Sequence, residues 1–142
     1  MQLQELLART GCPQPTLKDW LRQGLIQPAQ AGRGRGVHAR YDEVNVLTIM
    51  LALEMKNAHI VVSRYVEAFA TLDNLLRQRS SLEWPRYRVF LTPDHAVLIP
   101  RQQAASYHGP GFSDDLARYC AGWTAATDGE VAQLPLLGPG AL

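Results

Sequence analysis

Two short amphipathic segments near the start of the chain, joined by a proline-containing turn, constrain its fold more than any other feature. The first covers residues 3–10 and stops at Gly11, and the second covers about residues 15–23 and stops at Gly24. Each has three apolar residues at helical spacing: Leu3, Leu6 and Leu7, then Leu17, Trp20 and Leu21. Two short helices around a tight turn predict a helix-turn-helix motif, with polar side chains outward on the second.

Basic charge is concentrated in the same part of the chain. Residues 1–41 carry a net charge of +4, whereas residues 42–142 carry −3, for a total of +1. Half of the six basic residues of the first part lie in "QAGRGRGVHARY", residues 30–41, which we call the Gly/Arg loop. A basic N-terminal part favours a polyanionic partner. Taken alone, the loop is compatible with a solvated linker, a phosphate-binding loop or a finger on nucleic acid.

Two further helices follow the loop. One begins at Asp42 or Glu43 and ends near residues 56–59, and the next is predicted over about residues 60–79. Five apolar residues of the second follow a heptad pattern: Val62, Tyr65, Phe69, Leu72 and Leu76. This amphipathic face predicts either dimerisation or packing against residues 85–123.

The hydrophobic period changes from helical to alternating after residues 80–85. Residues 87–91 and 96–100 predict two strands of a β-hairpin with a turn at 93–95. Ser113 is predicted to cap a short helix that extends to about Cys120. Seven of the eleven aromatic residues lie within residues 84–123, which predicts a small aromatic core or a pocket that senses a ligand. The fold class is mainly α with a small α+β C-terminal part.

Short motifs recur in one uninterrupted register through residues 3–60. They are Leu3, Glu5-Leu6, Thr10-Gly11, Thr16-Leu17-Lys18, Trp20, Arg22-Gln23-Gly24-Leu25, Pro28, Arg40-Tyr41 and Leu47. Together with the Gly/Arg loop, they resemble the DNA-binding domain of the MerR-type winged helix-turn-helix regulators. The resemblance covers about two fifths of the chain.

The resemblance implies a sequence-specific transcriptional regulator that binds double-stranded DNA, with the second helix in the major groove and the Gly/Arg loop as a wing on the backbone or minor groove. The implied DNA-binding residues are Thr16, Lys18, Arg22, Arg33, Arg35, His38, Arg40 and Tyr41. It also implies a homodimer formed through the heptad residues, and RNA polymerase as a partner. The expected domains are residues 1–58 for DNA binding, 59–80 for dimerisation and 81–142 for a C-terminal region, where the family places effector sites.

Three positions depart from the family pattern. Asp19 replaces an aromatic residue, Pro15 a residue that is often basic, and Ala39 a wing arginine. A carboxylate facing DNA repels phosphate unless it accepts from the amino group of a cytosine. Two alternatives therefore stay open: an excisionase-like, plasmid or nucleoid accessory factor, and a protein-interaction module that has lost DNA binding.

Catalysis, cofactor binding and metal binding are not expected. The sequence has no nucleophile motif or phosphate loop, and Cys12 and Cys120 lack the spacing of metal ligands, which favours two buried thiols over a disulfide. A basic leader before an apolar run is absent, as is any apolar run of about 18 residues. We therefore expect a cytoplasmic protein that is not an enzyme.

Overall fold

The computed structural model describes residues 1–32, 38–106 and 111–120. Four α-helices are described: α1 (Leu3–Thr10), α2 (Gln14–Gln23), α3 (Glu43–Asn57) and α4 (Val66–Arg77). Three strands form an antiparallel sheet in the order β2-β1-β3: β1 (Tyr87–Thr92), β2 (His95–Pro100) and β3 (Phe112–Asp115). Short 3₁₀ turns occupy Val62–Tyr65, Trp84–Arg86 and Arg101–Ser106. The described part is thus mainly helical, as predicted.

The predicted glycine stops of the first two helices are confirmed. Gly11 and Gly24 lie in the left-handed region with φ of 71° and 79°, which a residue with a β-carbon adopts only with strain. The amide of Gly24 donates to the carbonyls of Trp20 and Leu21, and the amide of Leu25 also donates to that of Trp20, so the carbonyls at the end of α2 have partners. These turns fix the angle at which α2 leaves α1 and enters the following loop.

Helix α3 is the centre of the molecule because it is buried on nearly all sides. Its buried residues are Val44, Asn45, Val46, Leu47, Thr48, Ile49, Leu51, Ala52 and Met55. They belong to one hydrophobic cluster that extends from α1 and α2 to α4 and the sheet. The three expected segments therefore share a core, and their division by role stays a prediction.

The heptad face of α4 is covered within the chain. Val62 is 6% exposed, Phe69 1%, and Leu72 and Leu76 0%, whereas Tyr65 is half-buried. The helix packs on β2 and α3, and the indole nitrogen of Trp84 donates to the carbonyl of Leu76 at 3.1 Å. This is the packing alternative that the sequence left open. The helix is also shorter than predicted, because residues 62–65 form a 3₁₀ turn.

The C-terminal hairpin is confirmed, but the helix predicted from Ser113 is wrong. Strands β1 and β2 pair from Tyr87↔Pro100 to Thr92↔His95, with Pro93 and Asp94 in the turn. Ser113 instead lies in β3, where it pairs with Phe90 of β1. The chain becomes helical only at residues 117–120. Pairing with a strand more than twenty residues earlier overrides the local capping pattern.

Asp114 explains why the local pattern is misleading. It is 8% exposed, and its carboxylate accepts from the Tyr119 hydroxyl at 2.5 Å, from Arg118 at 2.6 Å and from the Asp115 amide at 2.8 Å. Burial alone would raise the pKa of Asp114, but the hydrogen bonds from Tyr119 and Arg118 bring it below its ordinary value. The carboxylate thus holds the end of β3 against the turn that follows it.

Candidate nucleic-acid interface

Helix α2 is anchored on one side and open on the other. Leu17 and Trp20 are 0% and 5% exposed, so the tryptophan is a core residue. Lys18, Arg22 and Gln23 are exposed. An apolar face that fixes the helix and a polar face that reaches outward are what a helix needs to enter a major groove. Of the α2 residues predicted to bind DNA, Lys18 and Arg22 lie on the open side, and Thr16 is half-buried.

Asp19 is not an isolated carboxylate on this surface. One of its oxygens accepts from Nη2 of Arg22, and the other accepts from Nε2 of Gln23 at 2.7 Å. The side chains of Arg22 and Asp19 stay 77% and 43% exposed, so the pair adds little to the free energy of folding. The repulsion expected between Asp19 and phosphate is therefore reduced by two local donors.

The base of the Gly/Arg loop is closed by a backbone bridge. The amide of Gln30 donates to the carbonyl of Arg40 at 3.1 Å, and the amide of Arg40 donates back to Gln30 at 2.8 Å. His38 and Arg40 are exposed beside this bridge. Residues 33–37 lie outside the described residues, and with them the predicted contacts of Arg33 and Arg35.

Asn45 is a positioning residue that the sequence interpretation missed. It is 0% exposed in the first turn of α3. Its Oδ1 accepts from the amides of Ala29 and Asp42, both at 3.1 Å, and its Nδ2 donates to the carbonyl of Gln27 at 2.6 Å. One side chain thus holds both ends of the Gly/Arg loop. The signal was a helix cap, because Asp42 accepts from the Asn45 amide and the two residues complete a capping box.

Tyr41 is better described as a scaffold residue than as a DNA contact. It is 6% exposed, and burial raises the pKa of its phenol. Its amide donates to the carbonyl of Met1 at 2.8 Å, and the amino group of Met1 donates to its carbonyl at 2.6 Å. The residue closes the loop, as predicted, but its ring belongs to the core.

The comparisons with known proteins concern this same part of the chain. Residues 1–61 match the family model described as "MerR HTH family regulatory protein". This segment is similar to a MerR-type helix-turn-helix, and we call it the MerR-type domain. A search of curated proteins finds no match to the chain. The match covers α1, α2, the Gly/Arg loop and α3, and it ends before α4 and the sheet.

Two ion pairs hold the start of α3, one within residues 1–61 and one from α4. Arg9 of α1 donates both guanidinium nitrogens to the Glu43 carboxylate at 3.0 and 2.9 Å, and these bonds raise the pKa of Arg9. Arg77 of α4 donates to Asp42 at 2.6 Å. Because Asp42 also caps α3, the second pair joins α4 to the start of the central helix. Both arginines connect different structural elements, whereas the exposed cations of α2, Lys18 and Arg22, do not.

The part of the chain that the structure describes contains neither a candidate metal site nor a helix that could span a membrane. It contains no group of three metal-ligating side chains, and none of its helices is long and apolar enough to cross a bilayer. Cys12 and Cys120 are buried thiols, and burial raises the pKa of Cys120 to about 11.

Two of the aromatic residues of the C-terminal part belong to the core. Trp84 and Tyr119 are 2% and 5% exposed, whereas Tyr107 and Trp123 lie outside the described residues.

Proposed function

We propose that this chain is a sequence-specific transcriptional regulator of MerR type. Helix α2 enters the major groove of double-stranded DNA, and the Gly/Arg loop follows the adjacent backbone or minor groove. The observation that supports this most directly is the two-sided nature of α2. Its Leu17 and Trp20 are packed in the core, while Lys18 and Arg22 are exposed on a domain whose sequence matches a regulatory helix-turn-helix family.

The exposed basic side chains of residues 1–41 also support DNA binding. Of the basic side chains in residues 1–41, Arg9 is bound to Glu43, while Lys18, Arg22 and Arg40 are exposed. Exposed cations release counterions from DNA when they contact phosphates, and this supplies most of the affinity that does not depend on sequence. The backbone bridge between Gln30 and Arg40 closes the base of the Gly/Arg loop and thereby lowers the entropy that Arg40 loses when it binds DNA.

The decisive experiment combines binding with location. The full chain is mixed with a duplex library that carries a randomised segment, bound duplexes are selected, and the affinity for the selected sequence is measured as a function of salt. We expect an affinity that falls steeply with salt and exceeds that for unrelated duplexes by at least about a thousandfold. Negligible affinity at low salt would contradict the proposal and favour the protein-interaction module.

Mapping of the bound fragments in the source genome separates regulation from recombination. Sites beside promoters are expected for a transcriptional regulator, with RNA polymerase as a further partner. Sites confined to attachment regions of mobile elements would contradict the regulatory role and favour an excisionase-like factor, although DNA binding itself would stand.

We also propose that two copies bind two half-sites, because a two-fold protein places two recognition helices on one side of a duplex. The contact between the copies is not assigned to the heptad face of α4. Phe69, Leu72 and Leu76 are at most 1% exposed, so they would meet a second copy only if α4 left the sheet.

A further inference from the structure

Three neighbouring side chains on the open side of α2 form a hydrogen-bonded group whose chemistry goes beyond general attraction to DNA. They are Asp19, Arg22 and Gln23, which occupy positions i, i+3 and i+4 and therefore share one helix face. Asp19 accepts from both of the others through different oxygens. We call this group the Asp19 triad.

We propose that the Asp19 triad reads a G·C base pair, with Arg22 contacting the guanine and Asp19 holding Arg22 in position. This inference rests on the proposed function, since it requires that α2 lies in the major groove. Asp19, which departs from the family pattern, thereby has a role in specificity. Its carboxylate directs the Arg22 guanidinium, which would otherwise contact any phosphate.

The donors and acceptors left over by the triad match those of a G·C pair. Guanine presents two acceptors in the major groove, O6 and N7, and its paired cytosine presents one donor, the N4 amino group. An arginine has five N–H donors, of which Arg22 uses one on Asp19. Gln23 uses its amide nitrogen on Asp19 and retains the amide oxygen as an acceptor. The triad therefore leaves four guanidinium donors and one amide acceptor, which are sufficient for the two acceptors and the one donor of a G·C pair.

Exposure and rigidity also favour base reading over a phosphate contact. The Arg22 side chain is 77% exposed and stands on a regular helix, so it reaches outward without any change in the backbone. A phosphate contact needs only positive charge, and the neighbouring carboxylate reduces that charge locally. A contact with two guanine acceptors depends on the orientation of the guanidinium plane, and the Asp19 carboxylate, which accepts from one of its nitrogens, restricts that orientation.

Arg22→Ala is the first test. The wild-type full chain is used to select its preferred duplex, and the affinity is then measured for that duplex and for duplexes with each base pair replaced in turn. We expect the wild type to favour one G·C pair by about 10- to 100-fold over the other pairs at that position, and Arg22→Ala to lose that preference while the others persist. A uniform loss of affinity, with the salt slope reduced by about one unit, would overturn the proposal, because it identifies Arg22 as a phosphate ligand.

Asp19→Asn and Asp19→Ala test the positioning role. Removal of the carboxylate frees the charge of Arg22, so we expect affinity for unrelated duplexes to rise and discrimination at the same base pair to fall. Asp19→Asn retains one acceptor and is expected to retain more of the discrimination than Asp19→Ala. Unchanged discrimination in both variants would overturn the role of Asp19.

A matched control and the wild type keep this inference distinct from the proposed function. Arg86→Ala removes one exposed arginine from outside the MerR-type domain, and we expect it to leave the preference at that base pair unchanged. If the wild type binds no duplex at low salt, both proposals fall. If it binds with a clear preferred sequence that Arg22→Ala leaves intact, only the Asp19 triad falls.

Discussion

Helices α2 and α4 have similar lengths and similar apolar spacing, yet the two are surrounded differently. Helix α2 has 10 residues and buries Leu17 and Trp20, and its polar side stays open to solvent. Helix α4 has 12 residues, and its apolar face is filled by β2, α3 and the Trp84 side chain. The comparison shows that amphipathic spacing reveals which side of a helix becomes buried, whereas the element that covers it is decided by contacts distant in sequence.

The largest expected effect comes from placing a charge on the covered face of α4. Phe69→Asp buries a carboxylate where the ring is 1% exposed, so we expect the free energy of unfolding to fall by about 4 kcal/mol or more. Thermal unfolding followed by circular dichroism measures the loss. Asn74→Asp introduces the same charge at an exposed position of α4 and serves as the control. A folded Phe69→Asp monomer that replaces a wild-type dimer in sedimentation would instead show that this face binds a second copy.

Asn45→Ala tests whether the Asn45 side chain holds the residues on either side of the Gly/Arg loop in place. The variant leaves the amides of Ala29 and Asp42 and the carbonyl of Gln27 without their buried partner. We expect the free energy of unfolding to fall by about 2–3 kcal/mol, and DNA affinity to fall at temperatures where the variant is still folded. Urea unfolding and duplex titration measure the two effects.

The outcome for Asn45→Ala is compared with that for Asn57→Ala at the exposed end of the same helix, which should change neither quantity. If stability falls while DNA affinity of the folded fraction is unchanged, the amide supports the core only and does not position the Gly/Arg loop.

A double substitution in the Gly/Arg loop tests whether α2 acts alone on DNA. Arg33→Ala with Arg35→Ala should weaken binding to all duplexes alike and reduce the salt slope by about one unit for each arginine that binds a phosphate. Fluorescence anisotropy at several salt concentrations measures the slope. Arg86→Ala again supplies the control. An unchanged affinity would show that the loop is a solvated segment.

The smallest expected effect concerns the ion pair between α4 and α3. Arg77→Ala removes the hydrogen bonds to Asp42 and Asp73, but the Arg77 side chain is 33% exposed and the pair is screened by water. We expect a loss of about 0.5–1 kcal/mol that shrinks further at high salt. Urea unfolding at low and high salt measures it, with Arg64→Ala at an exposed position as the control. A salt-independent loss would indicate that packing, not charge, stabilises this contact.

Local features of the sequence predicted most of the helices and strands and, within the candidate site, the open side of α2. The glycine stops of α1 and α2, the start of α3 at Asp42 and the hairpin turn at residues 93–94 all depend on neighbours a few residues apart. The open side of α2 followed from the same short-range spacing. These features are predictable because the groups that determine them lie within one or two turns of the chain.

Features that depend on distant contacts were missed. Strand β3 forms because Phe112 pairs with Leu91, which no local pattern records, and the sequence places Asp114 at a helix start although its partners bury it in a strand. The role of Asn45 required knowing that residues 27–29 return to the start of α3. The partner of the heptad face could not be predicted for the same reason.

The burial of α3 on nearly all sides limits how far the MerR-type domain is a portable module. A fragment that ends at residue 61 would retain α1, α2 and the Gly/Arg loop but would remove α4 from the central helix. Such a fragment exposes apolar side chains of α3 to water and is expected to aggregate. In this chain, transfer of the MerR-type domain to another protein would require a new element that covers α3.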